Sequence, residues 1–299
     1  MLALVVDPGA PGSLRLAEAP EPRPAAGQLV LEVSHISLNR GEVTFAGSRP
    51  PGTVHGYDAA GVVLHPAADG SGPAAGTRVA AFGAGAWAQR MAVETTAVAE
   101  IPAGVDPADA AALPMAGLTA LRTLRTRDIL GRRVLVTGAA GGVGRYAVQL
   151  ARLGGAHVIA SVGSAARAEG LDADEVVVGL DGIDRPVDLI LDNVGGPQLA
   201  AAWQLLAAGG SVQNIGWASG EPAVFEPYSL FFVGAAKTMS TFGDVREVGP
   251  DLATLLGFVA AGRLSPEVGR RGTWEEYGAA AAALLGRNVP GKAVLSVGH

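Results

Sequence analysis

The sequence has no cysteine among its 299 residues and carries lysine at only two positions, Lys237 and Lys292. The absence of cysteine excludes disulfides, thiolate metal sites, iron–sulfur clusters and a cysteine nucleophile. Charged residues make up only 17% and hydrophobic residues 49%, whereas a disordered chain has the opposite balance. A net charge of −6 argues against a broad nucleic-acid-binding surface. We therefore predict a folded protein without a nucleic-acid partner.

Long hydrophobic runs are also missing. The apolar start, residues 1–7, is too short for a signal peptide and has no basic residues before it. The long uncharged stretch at residues 193–220 is interrupted by glycine, proline, asparagine and glutamine, which argues against a membrane-spanning helix. The expectation is a cytoplasmic protein that does not associate with a membrane.

Two kinds of pattern divide the chain. Residues 1–106 contain short apolar runs separated by proline and glycine, a pattern typical of a β-barrel or sandwich. Beyond that point predicted helices alternate with strands, and the near-continuous apolar strands favour a parallel sheet covered on both faces. The predicted helices are 107–125, 143–153, 165–171, 199–208, 252–261 and 274–285. The predicted strands are 133–137, 157–161, 175–178, 187–192, 211–215 and 293–297.

A glycine-rich turn follows the first strand of the alternating region. Such a turn lets the backbone bend sharply, approach a pyrophosphate and pack a helix against a strand. The N-terminus of the following helix offers free N–H groups to phosphates. The predicted nucleotide-binding residues of the turn are Gly138, Ala140, Gly141, Gly142, Val143 and Gly144.

Two other glycine motifs are excluded. The turn also fits the short-chain dehydrogenases, but these need a Tyr-x-x-x-Lys pair, and the residues four before the two lysines are Val233 and Asn288. Residues 286–293 resemble a P-loop but lack its Ser/Thr and a following helix.

The end of the second strand indicates which dinucleotide binds. An NAD site usually has an acid there for the ribose 2′-hydroxyl, yet residues 157–167 contain none. Ser161, Ser164 and Arg167 stand there instead, and hydroxyls with a guanidinium suit a 2′-phosphate. The predicted cofactor is therefore NADP(H).

Six segments in order along the chain resemble the zinc-independent quinone oxidoreductase branch of the medium-chain dehydrogenase/reductase superfamily. They are Ser37–Gly41 (SLNRG), Gly56–Val62 (GYDAAGV), Gly117–Ala120 (GLTA), Ala139–Gly144 (AAGGVG), Asp192–Gly196 (DNVGG) and Gly291–Leu295 (GKAVL). The resemblance implies an α/β protein with a GroES-like β-barrel catalytic domain and a Rossmann domain with a doubly wound parallel sheet. The expected domains are 1–111 with 250–299, and 112–249 for NADP(H) binding.

The resemblance also implies an activity and a set of site residues. The activity is NADPH-dependent reduction of quinones or other α,β-unsaturated carbonyl compounds, commonly by a homodimer. The implied catalytic residues are Asn39, Tyr57 and Thr119, with Asp58 paired to a base such as Arg40. The further cofactor residues that it implies are Asn193, Gly216, Phe242 and Arg287.

Metal is not expected. The zinc members of the superfamily hold the metal with a Cys and a His-Glu pair. By resemblance, Leu38 or Asn39 stands at the Cys position of this sequence, and Tyr57-Asp58 stands in place of the His-Glu pair. The five histidines show no ligand spacing. Without a Lewis acid to polarise a carbonyl, acceptors that are already electrophilic are favoured.

Two alternatives remain open. One is an enoyl-thioester reductase acting on acyl carrier protein or CoA substrates in a polyketide or fatty-acid type pathway. It needs a basic entrance patch, for which the candidates are Arg122, Arg125, Arg127, Arg132 and Arg133. The other is a non-catalytic NADPH-binding sensor, favoured if Asn39, Tyr57 and Thr119 fail to converge on the nicotinamide. The physiological substrate and the stereochemistry stay open.

Overall fold

A computed structural model describes residues 1–231 and 233–298. The chain divides into two compact units, Met1–Leu118 with Val245–His299, and Thr119–Asp244. The predicted boundaries, 111/112 and 249/250, lie close to these divisions. The catalytic and cofactor-binding roles assigned to the two domains stay predictions.

The helices and strands are numbered here in chain order. Up to the second unit they are β1 Leu2–Val6, β2 Leu14–Glu18, β3 Gln28–Leu38, α1 Arg40–Phe45, β4 Asp58–His65, β5 Arg78–Phe82, β6 Arg90–Glu94, β7 Val98–Glu100, α2 Pro107–Ala111 and α3 Pro114–Leu124. The second unit continues with β8 Arg133–Val136, α4 Gly142–Leu153, β9 His157–Val162, β10 Glu175–Val178, β11 Val187–Asp192, α5 Gly196–Gln204, β12 Leu206–Asn214 and β13 Thr238–Thr241. The chain then forms α6 Gly249–Ala260, β14 Val268–Thr273, α7 Tyr277–Leu285 and β15 Lys292–Ser296.

The first unit is built on a seven-stranded sheet. Its order is β14-β15-β3-β4-β5-β7, with β6 also paired to β3, and only β14 and β15 run parallel to each other. The register sets Leu38 opposite Ala293 and Ser37 opposite Asp58. Residues 39, 58 and 292 therefore lie at the same end of three adjacent strands.

The second unit is a six-stranded parallel sheet with the order β10-β9-β8-β11-β12-β13. Counted from β8, this is the 3-2-1-4-5-6 order of a doubly wound dinucleotide-binding fold. Buried side chains of the central strands and α5 form its core, among them Leu135, Ile159, Ile190 and Leu199. The predicted fold class is confirmed: an α/β protein in which a doubly wound parallel sheet accompanies a mainly antiparallel β unit.

Two of the longer predicted helices differ from the structure. The single helix predicted at 107–125 is two helices, because Pro114 disfavours helical backbone at the residue before it. The helix predicted at 199–208 ends at Gln204, and β12 already begins at Leu206. None of the helices in the described part of the chain has the length and apolar character that crossing a bilayer requires.

Candidate functional site

The glycine turn between β8 and α4 is packed so tightly that a side chain does not fit at Gly144. Gly138 has a φ of +60°, a conformation that favours glycine. A Cβ atom at Gly144 would lie 2.4 Å from the carbonyl oxygen of Gly138 and 2.6 Å from Cα of Ala139. Gly141, at the N-cap of α4, has no side chain to bind the first helical N–H groups. The turn therefore presents bare backbone and the positive end of a helix, which is the chemistry of an anion cradle.

Two more predicted cofactor residues meet the turn at the carboxyl ends of neighbouring strands. A Cβ at Gly138 would lie 3.3 Å from Cβ of Asn193, and one at Gly216 would lie 3.1 Å from the Asn193 carbonyl oxygen. Asn193 donates from Nδ2 to the carbonyl oxygen of Thr137 at 2.9 Å. The glycine turn, Asn193 and Gly216 thus converge at one edge of the parallel sheet, where such folds bind ligands.

Asp192 holds this edge together. It ends β11, is fully buried, and accepts from Oγ1 of Thr137 at 2.7 Å. Its other carboxylate oxygen accepts from the Gly195 N–H at 3.0 Å and from Nδ2 of Asn214 at 2.9 Å. Sequence analysis did not single out Asp192 as a site residue, although an acid ending a buried apolar strand is a signal for such an anchor.

The predicted 2′-phosphate residues lie beyond β9. Ser161 is fully buried; its hydroxyl donates to the Gly179 carbonyl at 2.6 Å and accepts from Gln198 at 2.9 Å. A serine has one hydroxyl proton, so in this arrangement Ser161 has none left for a phosphate. Ser164 is exposed and Arg167 half-buried in the short 3₁₀ helix that follows. These two stay the predicted 2′-phosphate ligands.

Thr119 and Arg287 lie elsewhere, whereas Phe242 follows β13 at the carboxyl edge of the parallel sheet that Asn193 and Gly216 share. Thr119 is buried in α3, and its carbonyl accepts from the Thr123 hydroxyl at 2.7 Å. Phe242 is half-buried just after β13. Arg287 follows α7 in the first unit, is exposed, and has a left-handed φ of +61°. Their roles toward a cofactor or substrate stay predictions.

The first unit contains a buried polar cluster made of Asn39, Glu42, Asp58 and Lys292. Nζ of Lys292 lies 2.6 Å from Oδ1 of Asn39 and 3.4 Å from Oδ2 of Asp58. Nδ2 of Asn39 donates to Glu42 at 2.7 Å and to Asp58 at 2.8 Å. Both amide hydrogens of Asn39 are therefore used within the cluster, and only its oxygen can accept a further bond.

Lys292 is the residue that sequence analysis missed here. Asp58 was expected to pair with a base such as Arg40, but Lys292 lies beside it, and Arg40 donates to the Leu284 and Leu285 carbonyls. Asp58 also accepts from the Met115 N–H at 2.9 Å. A lysine opening an apolar strand, in a chain with two lysines, could have drawn attention to this position.

Burial controls the charges of the cluster. Desolvation raises the pKa of Asp58, and the Lys292 ammonium opposes that rise. Desolvation and then the Asp58 charge raise the pKa of Glu42 to about 8. Oε1 of Glu42 is buried without a hydrogen-bond partner in the described part of the chain. Because its pKa of about 8 lies above neutrality, Glu42 is mainly a neutral carboxylic acid at pH 7.

The raised pKa of Glu42 predicts a pH-dependent stability. Between its unfolded value of 4.5 and about 8, the folded state binds a proton that the unfolded state has lost. The free energy of unfolding therefore falls as pH rises through this window, by about 1.4 kcal/mol per pH unit at most. We expect Glu42→Gln to remove this slope in urea unfolding between pH 4.5 and 9. Glu18→Gln, at an exposed carboxylate of the same unit, is the control; equal slopes in both variants would contradict the assignment.

Tyr57 lies next to the cluster and is fixed by its own contacts. Its ring stacks on Phe82 with centroids 5.8 Å apart, and its carbonyl accepts from the Gly83 N–H at 2.9 Å. Its hydroxyl oxygen accepts from Nη2 of Arg49 at 2.7 Å. Tyr57 thus presents a phenol whose position is set from both ends.

The donor set does not fit zinc. Within residues 1–231 and 233–298, no group of three or more His, Cys, Asp or Glu side chains is arranged to hold a metal ion. His55 contacts the Glu42 carbonyl at 3.0 Å and His35 the Ser34 hydroxyl at 3.1 Å. The sequence supplies no cysteine. The absence of metal stays a prediction.

Comparison with known proteins places the chain in a family. A family model described as zinc-binding dehydrogenase matches residues 153–295. A segment of erythronolide synthase EryA2 from Saccharopolyspora erythraea is 34% identical over 98% of this chain, which spans 9% of that enzyme's length. The chloroplastic quinone-oxidoreductase QR1 of Triphysaria versicolor is 33% identical over 56% of this chain and 57% of its own.

Solved structures agree over the full length. A mycobacterial protein solved in complex with NADPH superimposes with a TM-score of 0.88 and 25% identity, covering 99% of this chain and 100% of its own. The family model, the sequence relatives and the shared two-domain fold agree with the six motifs. The chain belongs to the medium-chain dehydrogenase/reductase superfamily and resembles its quinone oxidoreductases.

Proposed function

We propose that the protein is an NADPH-dependent reductase of quinones or α,β-unsaturated carbonyl compounds that works without a metal. The observation that carries the proposal is the glycine cradle, where a Cβ at Gly144 would overlap the Gly138 carbonyl and where Asn193 and Gly216 converge. The mycobacterial relative solved with NADPH supports the choice of cofactor. We further propose a homodimer and a small-molecule substrate.

The residues of the second unit would hold the cofactor. Backbone N–H groups from Gly142 to Gly144, in the first turn of α4, would bind its pyrophosphate. Ser164 and Arg167 would bind the 2′-phosphate. Bound NADPH supplies a hydride. The protein's part is to position the acceptor, exclude water and hydrogen-bond the oxygen on which negative charge develops.

In the first unit, Tyr57 is the side chain suited to that oxygen. When a hydride adds to the β-carbon of an enone, the C=C electron pair moves through the conjugated system to the carbonyl oxygen. A phenol can donate a hydrogen bond to that oxygen. Asn39, with both amide hydrogens used by Glu42 and Asp58, can offer a ligand only its carbonyl oxygen. We therefore propose Tyr57 as the donor and Asn39 as an acceptor.

Comparing the affinities for NADPH and NADH, which differ by the 2′-phosphate, tests the cofactor assignment. Trp217 is 47% exposed and lies beside Gly195 at the sheet edge, so its fluorescence should report binding. We expect NADPH to bind more tightly than NADH, and Arg167→Gln to weaken NADPH about tenfold while leaving NADH unchanged. Arg185→Gln, at an exposed arginine of the same unit, is the matched control. Equal affinity for both coenzymes in the wild type would contradict the proposal.

The second candidate is an enoyl-thioester reductase, favoured by the 34% identity to EryA2 over 98% of the chain. Two arginines of its expected basic patch are engaged in contacts within the second unit, whereas Arg125 and Arg132 are exposed. Arg127 donates to the Asp188 and Gly209 carbonyls, and Arg133 binds Glu175 at 2.9 Å. The guanidiniums of Arg127 and Arg133 therefore already have partners within the unit.

Turnover separates the two activities. NADPH oxidation is followed with a small quinone, a simple enone and a crotonyl thioester at equal concentrations. A kcat/KM at least tenfold higher for the quinone or enone supports the first candidate, and the reverse ratio supports the second. No turnover with any acceptor, together with normal NADPH binding, would favour the non-catalytic sensor.

A further inference from the structure

We infer that Arg49 is a positioning residue that orients the Tyr57 hydroxyl toward the substrate oxygen. The inference rests on the proposed reductase function and adds a residue to it. Its basis is the 2.7 Å hydrogen bond in which Nη2 of Arg49 donates to the phenol oxygen.

The direction of this hydrogen bond decides where the phenol proton points. A guanidinium carries only donors, so the Tyr57 O–H cannot donate to Arg49. Among the described residues, the Tyr57 hydroxyl has no other hydrogen-bond partner. Its proton is therefore directed away from Arg49 and stays free for an acceptor from outside the chain.

The ring of Tyr57 and the backbone of Arg49 are both held in place. The Tyr57 ring is stacked on Phe82, which is only 7% exposed. Arg49 closes the 3₁₀ turn Ala46–Ser48, with its N–H donating to the Ala46 carbonyl at 3.2 Å. A few residues on, the Gly52 N–H donates to the carbonyl of Val6 in β1 at 2.8 Å. The backbone that carries Arg49 is thus tied to the unit on both sides, and its exposed guanidinium reaches the Tyr57 hydroxyl from this anchored position.

The charge of Arg49 matches the proposed chemistry. Arg49 makes no ion pair with a carboxylate in the described part of the chain. Its field is felt nearby, because it helps lower the pKa of His55, after desolvation. A guanidinium without a carboxylate partner, next to the donor phenol, stabilises the negative charge that develops on the substrate oxygen as the reaction proceeds. The acceptor it suits is a conjugated carbonyl whose oxygen binds Tyr57.

A double-mutant cycle on the reductase tests the coupling. We expect Tyr57→Phe to lower kcat about a hundredfold and Arg49→Gln about tenfold, and the double variant to be no slower than Tyr57→Phe. Arg49→Lys should recover part of the loss. Arg23→Gln, at an exposed arginine of the same unit, should leave kcat unchanged. Independent, multiplicative effects of the two changes, or an unchanged kcat in Arg49→Gln, would overturn the inference.

A second readout does not depend on turnover. The chain has four tyrosines, so labelling their ¹³Cζ atoms gives four NMR signals, and Tyr57→Phe identifies the one from Tyr57. That signal should move in Arg49→Gln and stay in place in Arg23→Gln. An unmoved signal overturns the Arg49–Tyr57 pair. A moved signal with no reductase activity in the wild type supports the pair while removing the proposed function.

Discussion

Gly144→Ala is expected to remove tight NADPH binding and to destabilise the second unit. The new Cβ would lie 2.4 Å from the Gly138 carbonyl oxygen and 2.6 Å from Cα of Ala139. Both obstacles are backbone atoms, so the turn itself must move. Overpacking of this kind costs about 1–3 kcal/mol. If the whole cost falls on the conformation of the turn that binds NADPH, the affinity for NADPH falls roughly ten- to hundredfold.

The matched control for this prediction is Gly163→Ala. Gly163 belongs to the same unit, is exposed, and has no atom within 4 Å of the place that an added Cβ would occupy. Tryptophan fluorescence titration with NADPH and urea unfolding measure affinity and stability separately. If Gly144→Ala bound NADPH as tightly as Gly163→Ala, the cradle would not be the cofactor site.

Lys292→Met is expected to be the most destabilising single change in the first unit. It removes the ammonium that faces Asp58 and Asn39 and leaves a buried carboxylate without its cation. Breaking a buried pair in this way costs about 3–5 kcal/mol. The loss should be smaller under acidic than under alkaline conditions. Removing the cation raises the pKa of Asp58 further, and a raised carboxyl pKa lowers stability as pH rises.

The chain offers its own control, because Lys237 is the other lysine. Lys237→Met removes an ammonium that lies 6.0 Å from the Trp203 ring and should change the free energy of unfolding by about 1 kcal/mol or less. Adding Asp58→Asn to Lys292→Met should restore at least half of the lost stability, since no unpaired carboxylate is then buried. A Lys292→Met variant as stable as Lys237→Met would show that the cluster is not held by charge.

The sequence was most informative where one physical signal dominates. The strands 175–178 and 187–192 have the predicted bounds, because short apolar runs between turn residues leave few alternatives. The glycine turn was located by its place between a strand and a helix. The break at Pro114 and the early end of α5 were missed, since alanine-rich and leucine-rich stretches favour helix until a neighbouring strand competes for them.

The polar cluster was harder to foresee. Asn39 and Asp58 were singled out through the family motifs, whereas Glu42 and Lys292 were not. Lys292 is 253 residues from Asn39 in the chain, and only the pairing of β15 with β3 brings them together. A single sequence carries no signal for such a long-range contact. Likewise, the hydrogen bonds that occupy the Ser161 hydroxyl come from Gly179 and Gln198, which are 18 and 37 residues further along the chain.

The pairing of β15 with β3 also sets an order of events during synthesis. The second unit is one continuous stretch of chain, so all of its strands are available once residue 244 has emerged from the ribosome. The first unit must wait for its final strand, because β3 keeps an open edge and Asp58 lacks its cation until Lys292 arrives. A nascent chain can therefore complete the fold of the second unit first, while the N-terminal strands of the first unit, although synthesised earlier, still lack their contacts with β15.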